Sequence, residues 1–169
     1  MTYRGKARRL AVNDNLNTDY VISGRYKFKI QDPKELAKHI FEDICPDFPL
    51  RLKKGDFIVS GENFGCGSSR EQAPQAIKAA GISAVIAKSY ARIFYRNAFN
   101  IGLALIECNT DTVEEGDDIE VDLMKGKLVN KTKKDTLRIK PIPSVMMTLL
   151  KDGGVIEHFR KNGGLHFAI

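Results

Sequence analysis

Gly61-Glu62-Asn63-Phe64-Gly65-Cys66-Gly67-Ser68-Ser69-Arg70-Glu71 is the stretch from which the rest of the chain is read. Before it stands Phe57-Ile58-Val59-Ser60, a short apolar run that reads as a buried strand. After it, Ala73, Ile77, Ala80 and Ile82 recur at roughly helical spacing among good helix formers. The order is therefore strand, glycine-rich loop, helix. Three glycines let such a backbone turn sharply and approach a ligand closely. Ser68 and Ser69 stand where helix N-caps are favoured, which predicts Arg70 in the first turn. Unpaired N–H groups and the positive helix end would then meet two hydroxyls and a guanidinium, a site for a small carboxylate or phosphate. The plainer alternative is a capped structural turn, because a loose glycine pattern is a weak signal. No Gly-Lys-Ser/Thr follows, so the loop is not a Walker A loop. Arg70 also stands where a dinucleotide fingerprint needs its third glycine.

Working outward, a chain of 169 residues is long enough to bury one sizeable core, and a single domain over residues 1–169 is expected. Hydrophobic content of 43% with 28% charged residues is ordinary for a globular protein. The net charge of +6 is spread rather than massed. Its densest cluster, Lys131, Lys133 and Lys134, is followed by Asp135 and has no interleaved aromatics, so a nucleic-acid partner is not expected. A solvated turn is the ordinary meaning of such a cluster; a modest field drawing in acidic substrates or an acidic partner protein is the alternative. Cys45, Cys66 and Cys108 are widely spaced, against a disulfide framework and against a metal site built by this chain alone. No apolar run of membrane-spanning length and no signal-type apolar region appear, so a cytoplasmic, soluble protein is expected.

Taken in order, residues 3–12 read as an opening strand, and Asn13-Asp14-Asn15-Leu16-Asn17-Thr18-Asp19 as turn chemistry. Thr18 and Asp19 reach a ligand if that loop faces the glycine stretch. Residues 23–29 read either as an exposed mobile loop or as a lid, offering Arg25 to a carboxylate and Phe28 to an apolar group. Asp32-Pro33-Lys34-Glu35 starts a helix predicted to run through Leu36, Ile40, Phe41 and Ile44. Ala84-Val85-Ile86-Ala87 and Leu103-Ala104-Leu105-Ile106 are buried strands. Between them lies a helix capped by Ser89, whose Arg92, Tyr95, Arg96 and Asn97 face reads as solvated or as an interface. Strands alternating with helices at this spacing imply an α/β core, at least partly parallel. Three short β segments near 118–123, 127–131 and 136–140 then form a small meander or barrel-like edge, and helices follow near 144–152 and 155–162.

Asn17-Thr18-Asp19, Gly24-Arg25-Tyr26, the 61–71 stretch and Ala91-Arg92-Ile93-Phe94-Tyr95-Arg96-Asn97 together resemble the small subunit of isopropylmalate dehydratase and its relatives. These correspond to the mobile swivel domain of aconitase, and the resemblance covers nearly the whole chain. It implies a swivelling β/β/α domain of the aconitase domain-4 type, a partly parallel sheet flanked by helices with a small additional β region. It further implies a hydro-lyase that isomerises a hydroxy di- or tricarboxylate by removing water and adding it back. The implied cofactor is a 4Fe–4S cluster held by the cysteines of a separate large subunit, whose free iron acts as a Lewis acid.

In that resemblance Ser68 takes the proton from carbon, while Ser69 and Arg70 hold a substrate carboxylate, with Arg25, Thr18 and Asp19 as further substrate-binding residues. A serine hydroxyl is a weak base, so it needs donors that stabilise an alkoxide, and a planar Arg fork matches a carboxylate as Lys would not. A tetrad on the early loop helps choose the substrate in relatives. Here it is Tyr26-Lys27-Phe28-Lys29, and Ser23 stands where relatives usually carry Pro. Phe28 favours an apolar substituent, whereas Lys27 and Lys29 do not. The substrates implied are therefore isopropylmalate first, in leucine biosynthesis, with homoaconitate or a methyl- or dimethylmalate as alternatives. The reading from another class is a non-catalytic anion-binding module of the same fold.

Overall fold

The computed structural model describes every residue except Phe28, Ser69, Ala168 and Ile169, together with the side chain of Lys27. The chain opens with β1 (Thr2–Arg9), then α1 (Thr18–Val21), α2 (Gly24–Lys27), α3 (Pro33–Ala37) and α4 (Phe48–Arg51). A repeating α/β section follows: β2 (Phe57–Val59), α5 (Gln72–Ala79), β3 (Ala84–Ala87), α6 (Arg92–Asn100) and β4 (Ala104–Glu107). Next come β5 (Asp118–Asp122), β6 (Lys127–Asn130) and β7 (Asp135–Arg138), and then α7 (Ser144–Asp152) and α8 (Val155–Asn162). The α/β architecture with a partly parallel sheet and helical flanks is as expected.

All seven of these strands join one sheet, in the order β4-β3-β2-β1-β5-β6-β7. β1 is its pivot. Ala7–Arg9 pair in parallel with Phe57–Val59, while Thr2–Lys6 pair antiparallel with Asp122–Asp118. The two halves differ as their burial demands. In β2 and β3 every residue is buried, as in a parallel sheet covered on both faces. In β5 burial alternates along the strand, so one face packs and the other meets solvent. The meander expected from the sequence is thus an extension of the same sheet. Tyr90 fastens the parallel half: its buried hydroxyl lies 2.8 Å from the Val85 carbonyl and 2.9 Å from that of Ile106, and accepts from the Ile106 N–H at 3.1 Å.

The helix predicted from Pro33 to Ile44 is shorter than expected. Asp32 caps it, accepting from the Lys34 N–H at 3.0 Å, but α3 ends at Ala37 and turns follow. Phe41 takes a left-handed conformation (φ 58°), and its N–H donates to the Val21 carbonyl rather than to a preceding turn. Its ring, fully buried, meets Phe48 edge-on at 5.1 Å. Burial of that ring and the bond to α1 outweigh the helical pattern. Glu42 and Asp43 are thereby set beside α2.

Candidate functional site

The glycine-rich stretch leaves the carboxyl end of β2, and the connection from β3 to α6 leaves the carboxyl end of the adjacent parallel strand. Ligand clefts of α/β sheets form at that edge. Here the two connections are zipped to each other and to the loop after β1. Gly61 N–H donates to the Asn13 carbonyl at 2.8 Å, Asn15 N–H to Glu62 at 2.8 Å, and Gly65 N–H to Leu16 at 2.8 Å. On the other side Phe64 N–H donates to the Ser89 carbonyl at 3.1 Å, and Ala91 N–H to Phe64 at 2.9 Å. Gly65 (φ 79°) makes the close approach possible, for a Cβ there would sit 2.2 Å from Cγ of Phe94.

Thr18, buried at the start of α1, reaches across to the same loop. Its N–H donates to the Cys66 carbonyl at 3.0 Å and its hydroxyl to the Ser68 carbonyl at 2.7 Å. Ser68 itself is exposed, its main chain is fixed by Thr18, and its hydroxyl has no hydrogen-bond partner among the described residues. Ser69, predicted beside it, lies outside the described residues. Cys66 is half-buried and donates weakly to the Asn15 carbonyl at 3.3 Å, a packing role.

The predicted helix caps require correction. α5 begins at Gln72, its N-cap position is Glu71 without a side-chain capping bond, and so neither Ser68 nor Arg70 belongs to the first turn. The cause is Pro74. A helix capped at Ser68 or Ser69 would carry Pro74 beyond the first four N–H positions, losing an internal bond and clashing with the preceding turn. Starting at Gln72 places that missing N–H where none is needed.

Arg70 is positioned from the chain before it. One Nη ion-pairs with the Asp19 carboxylate, the other donates to the Ile22 carbonyl at 3.3 Å, and only 12% of the side chain is exposed. Its Nε is buried without a partner among the described residues. Asp19 therefore serves Arg70 as a counter-ion and orienting group. Thr18, Ser68 and Arg70 are brought together around the glycine loop. Arg25 does not join them: half-exposed, it pairs with Asp43 and lies 3.9 Å from Glu42.

Rather than a free loop, residues 24–27 form α2, and the Tyr26 hydroxyl donates to Glu42 at 2.9 Å. The Tyr26 and His39 rings stack at 4.1 Å, and His39 Nδ1 contacts Glu42 Oε2 at 2.6 Å. Bonds from His39 and then Tyr26 hold the Glu42 carboxyl below its ordinary range. Gly24, though, adjoins the site, since a Cβ there would stand 4.0 Å from Nη1 of Arg70. Of the tetrad, Lys29 is exposed, Lys27 contributes its backbone to α2, and Phe28 lies outside the described residues.

These elements enclose a cleft of about 660 Å³. Thr18, Gly65, Gly67 and Arg70 line one part of it, and Arg92, Arg96 and Asn97 of α6 with Met146 of α7 another. The α6 residues were read from sequence only as a solvated or interface face. Their signal was available: an Arg pair four residues apart, directly after a parallel strand, projects at the edge where such sheets bind ligands. A cleft with three guanidiniums in its lining is suited to a small polycarboxylate anion.

Cys108 is buried, which pushes its thiol up to about 12, and Cys45 is engaged with Asp47 and Arg51. Among the described residues no group of three or more His, Cys, Asp or Glu side chains converges as a metal set.

Comparison with known proteins gives a consistent result. The Aconitase C-terminal domain family matches residues 2–111. The 3-isopropylmalate dehydratase small subunit 2 of Archaeoglobus fulgidus is 53% identical over 152 residues, covering 90% of this chain and 92% of that one. The 3-isopropylmalate dehydratase small subunit of Wolinella succinogenes is 57% identical over 146 residues, covering 86% and 87%. A crystal structure of 3-isopropylmalate dehydratase from Methanocaldococcus jannaschii superposes with a TM-score of 0.92 at 46% identity, covering 96% of each chain.

Proposed function

Because this chain belongs to the aconitase C-terminal domain family, in its small-subunit branch, we propose that it is the small subunit of a two-chain hydro-lyase. The reaction is the isomerisation of a hydroxydicarboxylate by dehydration and rehydration, with 2-isopropylmalate and 3-isopropylmalate as the preferred pair. The similarity to isopropylmalate dehydratase small subunits over most of both chains supports the substrate. The observation that carries the chemistry is the exposed Ser68 hydroxyl on a loop clamped from behind by Thr18, beside an Arg70 oriented by Asp19.

In this reading the 4Fe–4S cluster belongs to the large subunit and supplies Lewis-acid assistance to loss of the substrate hydroxyl. This chain's residues bind and move the proton. Arg70 takes a carboxylate, fixing the substrate's carbon skeleton against the glycine loop. Ser68, as its alkoxide, accepts the proton from carbon and returns it on rehydration, so the proton inventory closes over the full isomerisation. The cationic cleft lowers the cost of that alkoxide. The apolar floor offered by Met146 and by Ile93 suits a branched alkyl substituent.

The test is Ser68→Ala in the reconstituted two-chain enzyme. Turnover is expected to fall by at least about 100-fold while the subunits still assemble, because only one proton acceptor is removed from a surface loop. Near-normal turnover would overturn the assignment. Isopropylmalate, homoaconitate and dimethylmalate assayed side by side fix the substrate.

A further inference from the structure

The glycine-rich stretch is held unequally along its length. From Gly61 to Gly65, main-chain bonds to the loop after β1 and to the connection from β3 to α6 tie it on both sides. The last of these in chain order runs from the Thr18 N–H to the Cys66 carbonyl at 3.0 Å. Gly67 follows in a left-handed conformation (φ 84°), and a Cβ there would meet nothing closer than 3.5 Å. Such a glycine leaves the chain free to turn. Ser68 comes directly after it. Among the described residues Ser68 makes one hydrogen bond, the one its carbonyl accepts from the Thr18 hydroxyl at 2.7 Å. Thr18 is itself only 2% exposed, and its own carbonyl accepts from the Ile22 N–H at 3.1 Å. Asn17 before it caps α1, accepting from the Tyr20 N–H at 2.9 Å. A threonine hydroxyl has one proton, and here it goes to Ser68. Thr18 therefore has no donor left for a ligand, whereas the resemblance implied that it binds substrate.

We propose that Thr18 is a positioning residue for the proton transfer: it holds the Ser68 main chain so that the Ser68 oxygen stands at the carbon it deprotonates, and it binds no substrate carboxylate. Resting on the reading of Ser68 as the proton acceptor, this role adds what keeps that acceptor in place. The step itself is unchanged: the proton passes from carbon to the Ser68 alkoxide, and the C–H electron pair becomes the double bond as the hydroxyl leaves. α1 then serves the site twice from adjacent residues, through Thr18 on Ser68 and through Asp19 on Arg70. The two act on different steps. Asp19 sets the group that binds a carboxylate, and Thr18 sets the group that moves the proton. Misplacing a reacting group by about 1 Å costs up to about 100-fold in rate, so slack at Gly67 lowers turnover while binding at Arg70 is kept.

The deciding variants are Thr18→Val, which removes the hydroxyl, and Thr18→Ser, which keeps it. Both are assayed in the reconstituted two-chain enzyme, with hydrogen or deuterium at the substrate carbon that loses its proton. In Thr18→Val kcat is expected to fall about 10- to 100-fold with KM within about twofold of wild type. The deuterium effect on kcat is expected to rise as proton transfer becomes limiting, and Thr18→Ser to restore most of the rate. In the full chain alone, amide exchange across residues 66–70 is expected to quicken about tenfold in Thr18→Val, while that of β2 and β3 is unchanged. If Thr18→Val does not fold, Thr18→Cys, a weaker donor, carries the same comparison. An unchanged kcat overturns the proposal, and so does a loss seen mainly as a raised KM, which would make Thr18 a substrate ligand. A lower kcat that Thr18→Ser leaves unrepaired, with the isotope effect and loop exchange as in wild type, also overturns it and assigns the loss to packing. Ser68→Ala separates this role from the reading beneath it. Near-normal turnover there removes both, whereas an inactive Ser68→Ala beside a normal Thr18→Val removes the positioning role alone.

Discussion

The site is decided at single residues, and the glycines show how unevenly. Both Gly65 (φ 79°) and Gly67 (φ 84°) take the left-handed conformation, so Ala at either position is strained. They differ in what stands above them. A Cβ on Gly65 would overlap the Phe94 ring at 2.2 Å, whereas on Gly67 the nearest atom is Cβ of Asn17 at an ordinary 3.5 Å. Gly65→Ala is therefore expected to cost about 2–4 kcal/mol, strain plus overpacking, and Gly67→Ala about 1 kcal/mol, strain alone. Denaturant titration of the two variants checks this, and equal losses would mean that Phe94 yields without cost. The glycine pattern was legible in the sequence as a close approach of backbone to something. That the something at Gly65 is Phe94, delivered by α6, was not, because the contact depends on how the next βα unit packs. The same holds for Arg70: its closeness to the glycine loop was readable, but its place before α5 and its partner Asp19, which comes from α1, were not.

At the scale of elements, what the sequence missed were boundaries under tertiary control. Pro74 was a readable start signal for α5 and outranks the two serines as a marker. The early end of α3 was not readable, because the apolar pattern through Ile44 is helical and only the bond from Phe41 to Val21 breaks it. That break gives α2 its support. A four-residue helix does not hold itself, so α2 depends on Tyr26 and Arg25 bonding to Glu42 and Asp43. Glu42 is the shared acceptor, taking both Tyr26 and His39. Glu42→Ala is expected to speed tryptic cleavage after Arg25 and Lys27 by about tenfold, while the global unfolding midpoint moves little, because the opening is local. Mass spectrometry of the early fragments reads the cleavage sites. Cleavage at the wild-type rate would show that the hydrophobic contacts of Tyr26 suffice without the carboxylate.

For the whole molecule, the alternation of strands and helices announced the parallel half correctly, and this half carries the cleft. The meander was also legible, but its attachment was not: β1 pairs with β2 through its last residues and with β5 through its first, a non-local choice that no local pattern encodes. Charge pairs brace each part of the fold locally. Glu120 of β5 is held below the ordinary carboxylate range by Lys131 and then Arg4 of β1, Asp152 by His158 and further by Lys161, and Asp111 by Lys88. With Glu42, these are carboxylates whose folded pKa lies below the unfolded one. Such a group stabilises the fold fully above the unfolded pKa, and its contribution is lost as pH falls through the lowered folded value. Stability is thus expected to stay level from neutral pH down to about 5, and to fall steadily below about 4, where unfolded carboxylates begin to hold protons that the folded ones refuse. The individual contributions are small, since most of these pairs are partly exposed, and high salt should blunt the slope. Thermal midpoints across pH in low and high salt measure both effects, and Glu120→Gln with Asp152→Asn should flatten the acid limb. A main loss of stability between pH 6 and 7 instead would overturn the assignment of the acid limb to these carboxylates.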